Sequence, residues 1–134
     1  MPKAQDVMNR NLVYLTKHAS MVEAAKLLMV NDITGIPIVD EDMRLVGIIT
    51  EKDILDLYHI MQYPCDRTVN SSMSHEVVSF DVNDDLDDIC TCLRNEYFRR
   101  VPITREGRLA GVISRHDLIV YLLRSKRRNE EAWV

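Results

Sequence analysis

The chain has 134 residues, 46% of them apolar and 28% charged, with a formal net charge of −4. That composition belongs to a folded globular protein, with room for one compact domain or two half-size units sharing a core. No apolar run approaches the roughly 20 residues that cross a bilayer, and the negative balance argues against a general nucleic-acid binder.

The N-terminus (MPKAQD) has no apolar signal core, so a cytoplasmic location is expected. Cys65, Cys90 and Cys92 follow no zinc spacing, and His18, His59, His75 and His116 are scattered. No metal site is expected, and the thiols read as free and reduced.

In chain order, Leu12 to Leu15 is a short strand candidate. Ser20 with Glu23 has the spacing of a capping box, followed by Met21, Ala24, Ala25 and Leu28 at helical spacing. That helix should end near Asn31 and Asp32. Ile36-Pro37-Ile38-Val39 is a short β run whose proline favours a strand start or an edge. After a charged turn, Leu45 to Ile49 reads as a strand buried on both faces. A helix from Thr50 is expected to bury Ile54, Leu57, Tyr58 and Met61. The order then recurs: a strand at Val77 to Phe80, and a helix from Asp85 to Asn95 with Leu86, Ile89, Cys90 and Leu93 inward. Strands follow at Val101 to Thr104 and Leu109 to Ile113, joined by a Glu106-Gly107 turn. A last helix from Ser114 should bury Leu118, Tyr121 and Leu122.

The recurrence is written into the residues. GIITEKD at 47–53 and GVISRHD at 111–117 share one pattern at an offset of 64 (Gly47 to Gly111). Met8 and Met73, Val13 and Val78, and Ile36-Pro37 and Val101-Pro102 repeat at an offset of 65. A fixed-interval recurrence in a short chain marks an internal duplication. The expected organisation is repeat 1 over 1–62, a connector over 63–70, repeat 2 over 71–124 and a charged tail over 125–134. The expected class is α+β, two pseudo-symmetric β-α-β-β-α repeats packed through their sheets. Each repeat alone is too small to bury a comfortable core.

Thr50 with Asp53, and Ser114 with Asp117, fit two readings. One is a plain capping box, a hydroxyl at the N-cap and a carboxylate three residues on. The other is a nucleotide pocket. There a strand leads into a helix N-terminus that suits a phosphate, and a carboxylate one turn in accepts ribose hydroxyls. A glycine three residues before the hydroxyl lets a ligand or another backbone come close.

The duplicated Gly-hydrophobic-x-Thr/Ser-x-x-Asp segment, the hydrophobic-Pro strand start and the element order resemble the cystathionine-β-synthase (CBS) domain. Two such repeats form a CBS pair, or Bateman module, and the resemblance spans residues 7 to about 124. It implies a non-enzymatic regulatory module that binds AMP, ADP or ATP in clefts between the repeats, with Mg²⁺ as an optional companion and no catalytic cofactor. S-adenosylmethionine is an alternative ligand, and a ligand-free structural module an alternative role. By resemblance, one site uses Ile36, Pro37, Thr50, Lys52 and Asp53. The other uses Arg100, Val101, Pro102, Ser114, Arg115, His116 and Asp117. Arg99 and Arg100 stand where repeat 1 has Thr34 and Gly35, so the two sites are expected to differ, the second taking the more phosphorylated ligand.

The second helix of each repeat carries more apolar residues than one core needs, which points to a homodimer through those helices. The regulated protein, a separate polypeptide, is not named by the sequence. No membrane partner is expected. Nucleic acid is a poor fit, because Glu130 and Glu131 flank the basic cluster of Arg124, Lys126, Arg127 and Arg128.

Overall fold

The computed structural model describes residues 2–61, 67–95 and 97–128. Cys65, the first part of the connector, Trp133 and the end of the charged tail lie outside the described residues. The elements are α1 (Ala4–Val7), β1 (Leu15–Thr16), α2 (Met21–Asn31), β2 (Gly35–Val39), β3 (Leu45–Thr50) and α3 (Glu51–Met61). A 3-10 turn (Val69–Ser71) precedes β4 (Phe80–Asp81), α4 (Leu86–Leu93), β5 (Arg100–Arg105), β6 (Arg108–Ser114) and α5 (Arg115–Arg128). The class is α+β, and the β-α-β-β-α order occurs twice.

The described residues fall into two compact units, one drawn from Val13–Val78 with Gly107–Leu109, the other from Met1–Leu12, Ser79–Glu106 and Ala110–Val134. In the first unit the sheet runs β1-β2-β3, with β1 parallel and β3 antiparallel to β2. Its core gathers Leu15, Met21, Ala24, Leu28, Ile36 and Ile49 among others. The second unit repeats this as β4-β5-β6 around Val82, Leu86, Ile89, Val101, Ile103 and Ile113.

Local chemistry explains the boundaries. Ser20 Oγ accepts the Glu23 amide at 3.0 Å and starts α2, while Asp32 ends it in the left-handed region (φ 51°). The five-residue turn of repeat 1 is held by Asp40, whose carboxylate accepts the amides of Asp42 and Arg44, both at 2.9 Å. Those bonds hold its pKa below the ordinary carboxylate value. Glu106 and Gly107, both at positive φ, make the tighter turn of repeat 2.

Several expectations shift. The strands expected to begin at Leu12 and Val77 pair only at Leu15–Thr16 and Phe80–Asp81. β3 alternates between buried and half-buried positions, and β2, the middle strand, is the one buried throughout. Pro37 sits inside that middle strand. It is tolerated because β1 pairs only with Ile38 and Val39, leaving β2 an edge at the proline. Cys90 faces outward, since Leu86, Ile89 and Leu93 already fill the inward stripe of α4. Tyr58 and Leu122 are exposed, and α3 has no fully buried residue.

Two elements had no sequence expectation: α1 and the 3-10 turn. Each brings a segment onto the free edge of a sheet. Asn9 and Val112 exchange amide-to-carbonyl bonds of 2.8 and 3.0 Å in the second unit, as Ile48 and Ser74 do at 2.9 and 3.0 Å in the first. These segments explain the repeated glycines. A Cβ on Gly111 would lie 2.5 Å from Met8 Sδ, and one on Gly47 would lie 2.7 Å from Met73 Sδ and 3.0 Å from the Ser74 carbonyl. Methionine and glycine recur together because each methionine packs onto its glycine.

Candidate functional site

In each unit a strand ends at the hydroxyl residue and a helix begins at the next position. The first helical amide is taken up locally: Glu51 N–H donates to the Thr34 carbonyl (3.0 Å), and Arg115 N–H to the Arg99 carbonyl (3.1 Å). The carboxylate then folds back. Asp53 Oδ2 accepts the Thr50 amide at 2.8 Å and the Thr50 hydroxyl at 3.0 Å, while the Asp53 amide donates to Thr50 Oγ1 at 3.4 Å. Asp117 Oδ2 accepts the Ser114 amide at 2.8 Å, and the Asp117 amide donates to Ser114 Oγ at 3.1 Å. Both pairs are therefore reciprocal capping boxes. The cap uses one oxygen of each half-buried carboxylate. Among the described residues Oδ1 of Asp53 and of Asp117 takes no hydrogen bond.

The hydrophobic-Pro elements lie on the strand beside each cap. Gly35, Ile36 and Pro37 pair across to Thr50, Ile49 and Ile48. Ile36 and Val101 are fully buried, with Pro37 and Pro102 buried beside them, so their side chains form walls and only their backbone edge can meet a ligand. That edge is open because β1 and β4 pair only with the residues after each proline.

The charged candidates divide. Lys52 is exposed and paired with Asp56 at 2.8 Å on the outer face of α3, which raises its pKa. Arg115 donates from Nε to the Leu93 carbonyl (2.8 Å) and from Nη2 to the Asn95 carbonyl (2.6 Å), closing the exit of α4. Arg100 opens β5 half-buried; burial pushes its pKa down, and the charge of Asp117 opposes that shift. Its counterpart is Gly35, so the first site has no cation at this position. His116 is exposed and, with Asp117, lines a pocket of about 420 Å³ completed by Asp6, Val7, Asn9 and Arg124. Sequence reasoning missed that N-terminal wall. The one signal for it was the paired repeat of Met8 and Met73.

Among the described residues no cluster of three metal-ligating side chains occurs, and no helix is long and apolar enough to cross a membrane.

The CBS-domain profile matches residues 4–60 and again 67–124, so the chain belongs to the CBS-domain family and carries a tandem pair. The uncharacterised protein YlbB of Bacillus subtilis is 29% identical over 98% of this chain and 87% of its own length. Among solved structures, the CBS pair of protein MJ0100, in complex with 5′-methylthioadenosine and S-adenosyl-L-methionine, is 26% identical, with a TM-score of 0.74 over 94% of this chain and 98% of its own. CBSX2, a CBS-pair protein of Arabidopsis thaliana whose structure has been solved with AMP, shares the fold at 24% identity, with a TM-score of 0.80 over 94% of this chain and 99% of its own.

Proposed function

We propose that the chain is a regulatory module that binds adenosine nucleotides at the two caps and passes their presence to a separate protein, with no chemistry of its own. One observation carries the reading: each strand-to-helix cap leaves Asp53 and Asp117 with an unbonded oxygen beside an open backbone edge. A carboxylate so placed accepts vicinal ribose hydroxyls, and the strand edge offers peptide groups to a base. The adenosine compounds bound by MJ0100 agree with this chemistry. AMP, ADP or ATP are the ligands we favour, the polyphosphates accompanied by Mg²⁺.

The two sites are unequal in this account. Arg100 beside Asp117 gives the second a cation for a phosphate, and Gly35 gives the first only space. Lys52 and Arg115, each held by another partner, contribute less than the spacing suggests. Arg99, exposed, and His116 are the other second-site groups a phosphate can recruit. We also take the chain to be a homodimer through α3 and α5, whose Leu55, Ile60, Ile119 and Leu123 are each more than half exposed.

Ligand-dependent melting tests the reading. An adenosine ligand at about 100 times its dissociation constant should add roughly 2.7 kcal/mol of stability. No shift with AMP, ADP, ATP or S-adenosylmethionine at millimolar concentrations favours the second reading, a structural module whose complete capping boxes are caps alone.

A further inference from the structure

We infer that Arg115 is a positioning residue for the second site: its guanidinium clasps the exit of α4 and so sets Arg100 where a phosphate meets it. This rests on the adenosine reading above and specifies how the second site discriminates. The two repeats use the same length of chain differently. Helix start and strand start are fourteen residues apart in each, Met21 to Gly35 and Leu86 to Arg100. Eleven residues of that stretch are helical in α2, but only eight in α4. With about 3.6 residues per turn, α4 ends almost one turn early.

A helix end leaves carbonyls without intrahelical partners. α2 closes its own end, because the amide of Asp32, in the left-handed region, donates to the Leu28 and Met29 carbonyls. The end of α4 is closed by α5 instead. Arg115 Nε donates to the Leu93 carbonyl at 2.8 Å, and Nη2 to the Asn95 carbonyl at 2.6 Å. The amide of the same residue donates to the Arg99 carbonyl at 3.1 Å. One residue thus ties the end of α4 to the residue just before Arg100. Repeat 1 has Glu51 at this position, and a carboxylate has no proton to give a carbonyl, so the clasp belongs to the second unit.

Asp117 does not depend on the clasp. Its carboxylate is fixed by the Ser114 amide at 2.8 Å, and its amide by Ser114 Oγ at 3.1 Å. The clasp therefore governs the phosphate contact and leaves the nucleoside contact largely alone. Coupling of this kind is reciprocal. A phosphate held by Arg100 must in turn hold the clasp closed, so occupancy of the site is felt at the exit of α4.

Calorimetric titration with adenosine and ATP, joined to amide hydrogen exchange, tests the clasp in wild type, Arg115→Met and Arg115→Lys. The methionine keeps a long stem and loses every donor. The lysine keeps the charge and loses the planar fork that spans two carbonyls. Both variants should lower the preference for ATP over adenosine at the second site by at least about fivefold, the lower end of typical couplings. In wild type, ATP should slow exchange of the Arg94 and Asn95 amides, which donate to the Cys90 and Cys92 carbonyls at 3.0 Å each, more than adenosine does. Full preference kept by Arg115→Lys makes Arg115 a direct charge contact, and full preference kept by Arg115→Met leaves it no part in discrimination. Either result overturns the inference. So does an equal loss of adenosine and ATP binding, or a wild type without the preference. ATP bound to wild type with no slowing at those two amides overturns it as well, even where a variant fails to fold. A wild type that binds no adenosine compound overturns the adenosine reading, and this inference with it.

Discussion

The two units share a frame, and beside their caps they differ at the opening of the middle strand. Cap distances agree closely: 2.8 Å from the hydroxyl residue's amide to the carboxylate in both, and 3.0 against 3.1 Å for the first helical amide. The packing under the caps agrees too, since Gly47 faces Met73 as Gly111 faces Met8. Beside the caps, the residue opening the middle strand differs, Gly35 in one and Arg100 in the other. The duplicated backbone fixes where a carboxylate oxygen is presented; in the proposed function, the side chain beside it is what would separate the two ligand preferences.

If the units share a frame, equivalent damage should cost the same in each. Ile38 and Ile103 are both fully buried on middle strands. Ile38→Ala and Ile103→Ala should each destabilise by about 2–5 kcal/mol. Chemical denaturation checks this, and a large inequality would break the symmetry. Next in size, Gly111→Val should cost about 1–3 kcal/mol by overpacking Met8. Met8→Ala in the same chain should recover part of that loss, because residues in contact are not additive. Double-mutant denaturation measures the recovery.

Gly35 is the converse case. A Cβ there would meet its nearest neighbour at 3.4 Å, an ordinary contact, so Gly35→Arg should fold. It should give the first site the phosphate preference of the second, while Arg100→Gly removes that preference from the second. Calorimetric titration with adenosine, AMP and ATP separates these outcomes.

The smallest effect is electrostatic and belongs to the second unit alone. Lys3 Nζ and Asp85 Oδ1 are 2.6 Å apart. Their hydrogen bond lowers the pKa of Asp85 and raises that of Lys3. The contribution of Asp85 is present above the unfolded carboxylate pKa and fades as pH falls through its lowered folded value. The contribution of Lys3 is full below its unfolded value and fades as pH rises through its raised one. Lys3→Met should therefore lower the melting temperature slightly at neutral pH, with the difference closing toward either extreme. Melting against pH measures it, and solvent screening keeps it small.

Much of this was legible in the residues. The duplication, the element order and both caps follow from spacing alone, because capping chemistry is local. The edge segments were not legible. α1 is four residues long and carries no periodicity, and its role depends on Asn9 reaching Val112 across the fold. Arg115 was expected at the second site by resemblance, and nothing local reveals that its guanidinium reaches back to Leu93 and Asn95. Tyr58 and Leu122 read as core for a related reason: helical spacing defines a face without saying what covers it.

The central claim, two unequal adenosine sites built on the caps, is tested most directly by calorimetric titration of wild type, Asp53→Ala and Asp117→Ala with AMP and ATP. Asp117→Ala should abolish the ATP-preferring site and leave the other, Asp53→Ala should do the reverse, and each cap loss should cost about 1 kcal/mol in the ligand-free protein. Both variants losing only that stability, with nucleotide binding unchanged, would contradict it.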